Sequence, residues 1–402
     1  MRILYVNPYY KPYLGGIERI IEQISAYMLK QDEVEAVGVL TTRAYFPDRI
    51  LTDLPAHEVI DGVDVFRCDF KPSTLPRLFH AALAGYVSLG VPRVLRRFRP
   101  DIVHATYSEW WAGNLEVYLA SLRSAHIQSM HYHELPLVKR TLPLFLTNRW
   151  LLKRVDALQV QTEVERMQVH RAYGAPLSRT VIIPPGTDIP ESVPDRTIRS
   201  DIHPVTILAV GRVTEHKGQH DLVRMVANLL KSPGRGSLPP LRLVLAGEDA
   251  GTGERILKYV EQHGLQEVVR VVGRPSDTEL AQLYRDADIF ALPTRYESFG
   301  IVYIEAMSYG LPVVTYGVGP VPSILTRGSM LAPQGDEAAF SAHLEDLLRD
   351  RTLRLRLGTE ARELALGYSW ERTGEQYYRL YRQVLAPRRS RDSGKGKRNK
   401  AV

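Results

Sequence analysis

The stretch 288-DIFALPTRYESFGIVYIEAMSYGLPVVTYG-317 contains one complete repeat of an architecture. A short apolar run ends at Pro293, a polar loop follows, a helical pattern runs from Gly300 to Gly310, and a second apolar run begins at Pro312. Short apolar runs without polar alternation are the mark of strands buried on both faces. Strand, helix, strand in that order requires a crossover, so the two strands are parallel and belong to a doubly wound sheet. The same stretch places two carboxylates, Glu297 and Glu305, in surroundings that are otherwise mostly apolar or small. A carboxylate is costly to bury unless it is paired, hydrogen-bonded or useful.

Upstream, the alternation continues. VTILAVGRV, LRLVLAG and VVRVVG read as strands, and GQHDLVRMVANLLK, ERILKYVEQHG and DTELAQLYRDA as helices. The N-terminal half repeats the pattern with strands RILYV, VEAVGVLTT, DIVHATY and HIQSMHY. Its first helix is GIERIIEQISAYMLKQ, where Ile17, Ile20, Ile21, Ile24 and Met28 follow helical spacing. Between the halves lies the proline-rich stretch VIIPPGTDIPESVPDRTIRSDIHP, a poor helix or central strand. The expected organisation is a Rossmann-like N-terminal domain (1–186), a linker (187–204) and a Rossmann-like C-terminal domain (205–370). A helix (371–387) returns to the N-terminal domain, and a basic disordered tail (388–402) follows. Two such domains would face each other across a cleft at the carboxyl ends of their strands, where ligands of doubly wound sheets bind.

The bulk numbers agree with this. The 402 residues suit two domains, and the single cysteine, Cys68, excludes an intrachain disulfide framework or a cysteine-based zinc site. No signal-like segment opens the chain and no apolar run reaches the roughly 18 residues of a membrane span, so the expected compartment is the cytoplasm. The net charge is +7. Most of it sits at the end, in Arg388, Arg389, Arg391, Lys395, Lys397, Arg398 and Lys400 against Asp392. Such a tail is either a solubilising extension or a tether to anionic lipid. With no aromatic residues interleaved, nucleic acid is not expected as a partner.

The loops after strands carry the candidate chemistry. Gly15 and Gly16 precede the first helix, where glycine lets a backbone approach an anion and presents amides at a helix N-terminus; a plain tight turn explains them equally. Arg212 and Lys217 lie in a strand-to-helix loop and suit the negative charge that develops on a departing diphosphate. Solvated surface cations are the bland alternative. Glu297 falls in the loop before a helix and Glu305 within that helix. Each can bind sugar or ribose hydroxyls or stabilise positive charge on a reacting carbon. The bland alternatives are a capping acid for Glu297 and an ion-pair partner for Glu305. His131 and His133 follow strand HIQSMHY. H-x-H can be half of a metal site, but no HExxH and no acid or cysteine cluster completes one. A histidine at that position can hydrogen-bond a sugar hydroxyl and move a proton. Asp286-Ala287-Asp288 spells D-x-D but precedes a strand, away from its carboxyl end, and reads as structural.

Four motifs (GGIER, VIIPPGTD, GR-x4-KG and E-SFGIVYIEAMSYGLPVV) together resemble the retaining, nucleotide-sugar-dependent glycosyltransferases of family 4, which have the GT-B fold. Their order covers residues 1 to about 385. The resemblance implies that Gly15 and Gly16 approach the donor phosphates, and that Arg212 and Lys217 hold the diphosphate. Glu297 would lie beside the transferred sugar, Phe299, Gly300 and Ile301 would present backbone to sugar and phosphate, and Glu305 would bind the ribose. His131 matches the active-site histidine, with His133 as the fallback. The donor is a nucleotide-diphosphate sugar, and no metal or other cofactor is required. The segments TYGVGPVPSIL and EDAGTG depart from the family pattern beside the donor and leave its identity open.

The implied reaction is hexosyl transfer with retention of anomeric configuration, in glycan or glycolipid synthesis. The alternatives are a non-catalytic nucleotide-sugar-binding subunit and another GT-B chemistry, epimerisation or phosphorolysis. The acceptor, a glycan or a lipid-linked sugar, is expected on the N-terminal domain. There 93-RVLRRFR-99 and 139-KRTLPLFLTNRWLLKR-154 are basic. The second is either a helix at an anionic membrane interface or a core helix with cationic ends.

Overall fold

The structure, a computed structural model, describes residues 1–13, 15–45, 49–68, 91–106, 117–119, 121–130, 142–198, 204–232 and 238–398. The chain divides into two compact units, Met1–Gly186 with Trp370–Val402, and Thr187–Ser369.

Unit 1 begins with β1 (Arg2–Val6), α1 (Gly16–Met28), β2 (Ala36–Thr42) and a small hairpin, β3 (Ala44–Tyr45) and β4 (Arg49–Ile50). It continues through β5 (His57–Ile60), β6 (Val63–Cys68), β7 (Ile102–Ala105), β8 (Ala125–Ser129), α2 (Leu142–Leu152), β9 (Ala157–Val160), α3 (Glu163–Tyr173) and β10 (Thr180–Ile182). Its sheet runs β10-β9-β8-β7-β1-β2-β6-β5, parallel except for the antiparallel edge strand β5. The central strands β7 and β8 are wholly buried; β7 (IVHA) is mostly apolar, whereas β8 (AHIQS) buries His126, Gln128 and Ser129, each of them hydrogen-bonded.

Unit 2 contains β11 (Val205–Val210), α4 (Gln219–Lys231), β12 (Leu241–Ala246), α5 (Gly253–Gln262), β13 (Val269–Gly273) and α6 (Asp277–Asp286). Then come β14 (Ile289–Leu292), α7 (Ile301–Ser308), β15 (Val313–Tyr316), α8 (Val321–Ile324), β16 (Ser329–Ala332), α9 (Glu337–Arg349) and α10 (Arg351–Ala365). The sheet order is β13-β12-β11-β14-β15-β16, all parallel. Strand order reverses between β11 and β14, so the loops that leave these two strands open a crevice at the carboxyl edge. One apolar core, from Val205 to Ala365, fills the unit.

Two expectations change. Residues 187 to 198, expected as linker, belong to unit 2. Arg196 clamps them there by donating to the carbonyls of Tyr284 (3.2 Å), Ala287 (3.0 Å) and Tyr309 (2.7 Å), which end α6 and α7. The last helix, α11 (Trp370–Arg398), belongs to unit 1 and runs past the point where a disordered tail was expected. A helix already nucleated gains a hydrogen bond for each residue it adds, and that favours propagation into the basic stretch.

Candidate functional site

The crevice between the ends of β11 and β14 brings together two loops far apart in sequence. Lys217 Nζ donates to Glu297 Oε2 at 2.7 Å across 80 residues. The two side chains are 18% and 11% exposed, so the pair is largely withdrawn from water. The backbone also joins the loops. The His216 carbonyl accepts from Arg295 N at 2.8 Å and from Thr294 Oγ1 at 3.3 Å. Gly218, which caps α4, has φ 77°, and a Cβ there would lie 2.3 Å from the Pro293 carbonyl oxygen. Only glycine combines that backbone conformation with so close an approach.

Arg212 is exposed in the same loop, and its carbonyl accepts from Gln219 Nε2 at 2.9 Å. His216, not singled out in the sequence, sits between the two cations. Burial first, then the Lys217 and Arg212 charges, hold its imidazole below the ordinary value, while Nδ1 lies 3.0 Å from Thr214 Oγ1. Below it, Arg295 reaches Asp221 Oδ2 at 2.8 Å and so fixes the second loop against α4. This corner therefore interleaves cations and acids, Lys217 with Glu297 and Arg295 with Asp221 and Glu215, beside the exposed Arg212.

Glu297 Oε1 also accepts from Ser298 N at 3.1 Å. The chain then turns through Phe299 and Gly300 into α7. Gly300 has φ 85°, and a Cβ there would lie 2.3 Å from the Tyr303 ring. The turn directs the N-terminus of α7, starting at Ile301, toward the crevice edge, where the first helical amides lack intrahelical acceptors. Glu305 sits one turn further along and accepts from Tyr284 Oη at 2.9 Å. Tyr284 is buried and stacks on Tyr309 with centroids 5.2 Å apart; burial, then the Glu305 charge, push its phenol well above the usual range. Glu297 and Glu305 thus have different partners. Glu297 belongs to the cationic loop and Glu305 to an aromatic support from α6.

In unit 1, Gly15 caps α1, but its N–H is not bare. It donates to Glu18 Oε2 at 2.9 Å, and the other carboxylate oxygen of the buried Glu18 accepts from Asn7 Nδ2 at 2.9 Å. Asn7 Oδ1 in turn accepts from Thr106 Oγ1 at 2.9 Å. An acid at the third helical position is a usual partner of the capping residue, and the sequence reading of GGIER passed over it. Gly16 is exposed at the start of the helix. His131 and His133 lie outside the described residues.

Asp286 and Asp288 are structural. Asp286 Oδ1 accepts from Gln282 at 2.8 Å, and Asp288 Oδ2 accepts from Thr206 N at 2.9 Å, before β14 begins. Among the described residues no group of three His, Cys, Asp or Glu side chains is placed to hold a metal. A cavity of about 1550 Å³ lies at the opposite edge of the unit 2 sheet, beside Thr206 and Asp288. Its arginines bond to carbonyls: Arg354 to Leu347 and Leu348, Arg351 to Thr197, and Arg362 to Pro190. Several of these carbonyls end helices, whose partial negative charge the guanidiniums offset. Its lining also carries acids, but Asp286 and Asp288 accept from Gln282 and the Thr206 amide, so the described bonds of this cavity hold helix ends and strand starts in place.

Residues 15–186 match the family described as Glycosyl transferase 4-like domain, and residues 196–364 match Glycosyl transferases group 1. A D-inositol 3-phosphate glycosyltransferase of Kineococcus radiotolerans is 28% identical over 371 residues, covering 83% of this chain and 84% of the relative. Sucrose-phosphate synthase from Thermosynechococcus elongatus shares the fold with a TM-score of 0.80 at 22% identity, over 96% of this chain and 99% of that one. The Anabaena protein HepE, solved in complex with UDP and glucose, has a TM-score of 0.68 at 19% identity, over 94% and 98% of the two chains.

Proposed function

We infer, for a chain built of a glycosyl transferase 4-like domain and a group 1 glycosyl transferase domain, that the β11/β14 crevice of unit 2 holds the diphosphate of a nucleotide sugar during retaining transfer to an acceptor hydroxyl. The observation that carries the reading is the Lys217–Glu297 pair at the point of strand reversal, with Arg212 and His216 beside it. In the resting enzyme Lys217 is neutralised by Glu297. A bound diphosphate competes for the ammonium, and Glu297 is then positioned toward the sugar. The bond from the anomeric carbon to the phosphate oxygen breaks, and both electrons leave on the diphosphate. Arg212, Lys217 and the amides from Phe299 to Ile301 stabilise that charge where it develops. The acceptor oxygen bonds to the same face of the anomeric carbon, and its proton passes to the departing phosphate oxygen. Glu297 offsets the positive charge on the ring, and Glu305, steadied by Tyr284, takes the ribose hydroxyls. No metal is assigned to this step. For Gly15, Gly16 and His131, all in unit 1, the roles toward donor phosphates and sugar rest on the family resemblance alone.

The acceptor belongs to unit 1. The Kineococcus relative is named for D-inositol 3-phosphate, which supports a phosphorylated polyol. A membrane-borne acceptor in glycolipid synthesis is the second reading, because α2 exposes Leu146 and Trp150 beside Arg149. The test is incubation of the purified protein with a panel of nucleotide sugars and both acceptor classes, with products read by NMR. Retained anomeric configuration supports the reading; inversion, epimerised donor or an inert protein that binds donor refutes it.

A further inference from the structure

The loop after β11 carries three basic side chains, Arg212, His216 and Lys217, and the transfer steps above use only two of them. His216 lies in a short 3-10 turn, Glu215–Lys217, and is fixed at both ends of the residue. Its carbonyl accepts from Arg295 N at 2.8 Å and from Thr294 Oγ1 at 3.3 Å, so its backbone is pinned to the loop that carries Glu297. Its ring is held as well, with Nδ1 3.0 Å from Thr214 Oγ1. Among the described residues Nε2 has no hydrogen-bond partner. The residue is exposed, which leaves that nitrogen open to a ligand.

The charges around the ring come from both loops. Arg212 and Lys217 act on it from its own loop and Glu297 from the neighbouring one. Glu215, the adjacent acid, is engaged elsewhere, with Arg255 at 2.8 Å and Arg295 at 3.7 Å, and Arg295 is shared with Asp221 at 2.8 Å. Partial burial and the two cations outweigh Glu297 and hold the imidazole below its ordinary value, so the resting ring is neutral at physiological pH. A diphosphate reverses this balance. It screens Arg212 and Lys217 and adds anionic oxygens beside the ring, and both changes favour imidazolium. The Thr214 contact serves either state, because a hydroxyl donates to Nδ1 of the neutral ring and accepts from Nδ1–H of the charged one. Protonation therefore orphans no group, and Nε2–H then makes a charge-assisted bond to phosphate.

We propose that His216 is a third ligand of the diphosphate, alongside Arg212 and Lys217, and that it takes up a proton as the diphosphate binds. The proposal rests on the reading of the β11/β14 crevice as the diphosphate site and adds a pH dependence that Arg212 and Lys217 alone do not supply. Its sign follows from linkage: the bound state holds the extra proton, so affinity rises as pH falls.

The experiment is isothermal titration calorimetry of the full chain with inorganic pyrophosphate between pH 6.5 and pH 8.5, in buffers of different ionisation enthalpy that count the protons exchanged. Titration of pyrophosphate itself is common to every variant and cancels in the differences. Wild type is expected to take up more protons per pyrophosphate than His216→Gln. It should also bind about tenfold more tightly than that variant at pH 6.5 and nearly equally at pH 8.5, the gain of one charge-assisted bond that only the protonated ring makes. His216→Arg, whose charge is fixed, should bind at least as tightly as wild type at pH 8.5 and show the proton count of His216→Gln. The two variants are independent, so the comparison survives the loss of either to misfolding, which thermal melts report. Lys217→Ala should weaken binding and so identifies the crevice as the place of binding. Equal proton uptake in wild type and both variants, or an affinity ratio that does not change with pH, overturns the proposal and leaves the diphosphate site standing. Pyrophosphate binding that is absent, or indifferent to Lys217→Ala, overturns the donor-site reading and the proposal with it.

Discussion

Replacing Lys217 with alanine tests the donor site at its most exposed assumption. The ammonium lies 2.7 Å from Glu297, in a pair more than four-fifths buried on both sides. Its removal acts twice. In the resting protein, Glu297 loses its cation and keeps only the Ser298 amide. Breaking a fully buried pair costs about 3–5 kcal/mol and an exposed one up to about 1. For this partly solvated pair the expected loss is about 1–3 kcal/mol, a fall in melting temperature on the order of 2–4 °C per kcal/mol for a unit of this size. In the reaction, one preorganised stabiliser of the leaving diphosphate disappears, which typically costs about 10²–10³ in turnover. Scanning calorimetry reads the first effect and initial rates of nucleoside diphosphate release read the second. The double variant Lys217→Ala/Glu297→Gln separates them, because the orphaned carboxylate is gone. It should regain part of the stability and none of the turnover. Turnover within threefold of wild type in folded Lys217→Ala would refute the assignment of Lys217 to the diphosphate.

Gly300→Ala forces a left-handed backbone and places a methyl against the Tyr303 ring, so we expect roughly 2 kcal/mol or more of destabilisation in urea melts, with a rise in donor KM. Arg196→Ala orphans three carbonyls that end α6 and α7; about 2–4 kcal/mol of lost stability is expected, with thermal melts as the check, while an unchanged melt would show that the segment is held by other contacts. His104, buried between Tyr381 Oη and Ser129 Oγ at 2.8 Å each, has its imidazole lowered by burial to about 3. Because the folded value lies below the unfolded one, the stability it contributes is present above pH 6.5 and is lost as pH falls toward 3, at about 1.4 kcal/mol per unit. His104→Gln should flatten that slope between pH 6 and pH 4.5 in urea titrations.

Much of the fold was legible because buried parallel strands leave a mark that needs no tertiary knowledge. RILYV, VTILAV and DIFALP each hold a run of at least four apolar residues, and the sheets that contain them have the expected parallel order. Lys217 and Glu297 were legible as individual residues after strands. Their ion pair was not, since it depends on β14 lying next to β11 rather than β13. Glu18 was missed for a related reason. Its carboxylate reads as an ordinary helical acid until Asn7 and Gly15 are seen to converge on it. The segment around Arg196 looked like linker because its prolines exclude regular structure, yet prolines do not prevent packing, and one guanidinium with three carbonyl partners is enough to fix it. The apolar edge of α2 was ambiguous in one dimension. Core and membrane-interface helices share a composition, and here Leu151 and Leu152 face inward while Leu146 and Trp150 face out.

The central claim is that a diphosphate is held where strand order reverses in unit 2. A crystal structure of the protein with an intact nucleotide sugar tests it most directly. The account predicts phosphate oxygens within hydrogen-bond distance of Lys217 Nζ and the Arg212 guanidinium, with ribose hydroxyls at Glu305. A diphosphate bound instead in the arginine-lined cavity at the opposite edge of the sheet would contradict it.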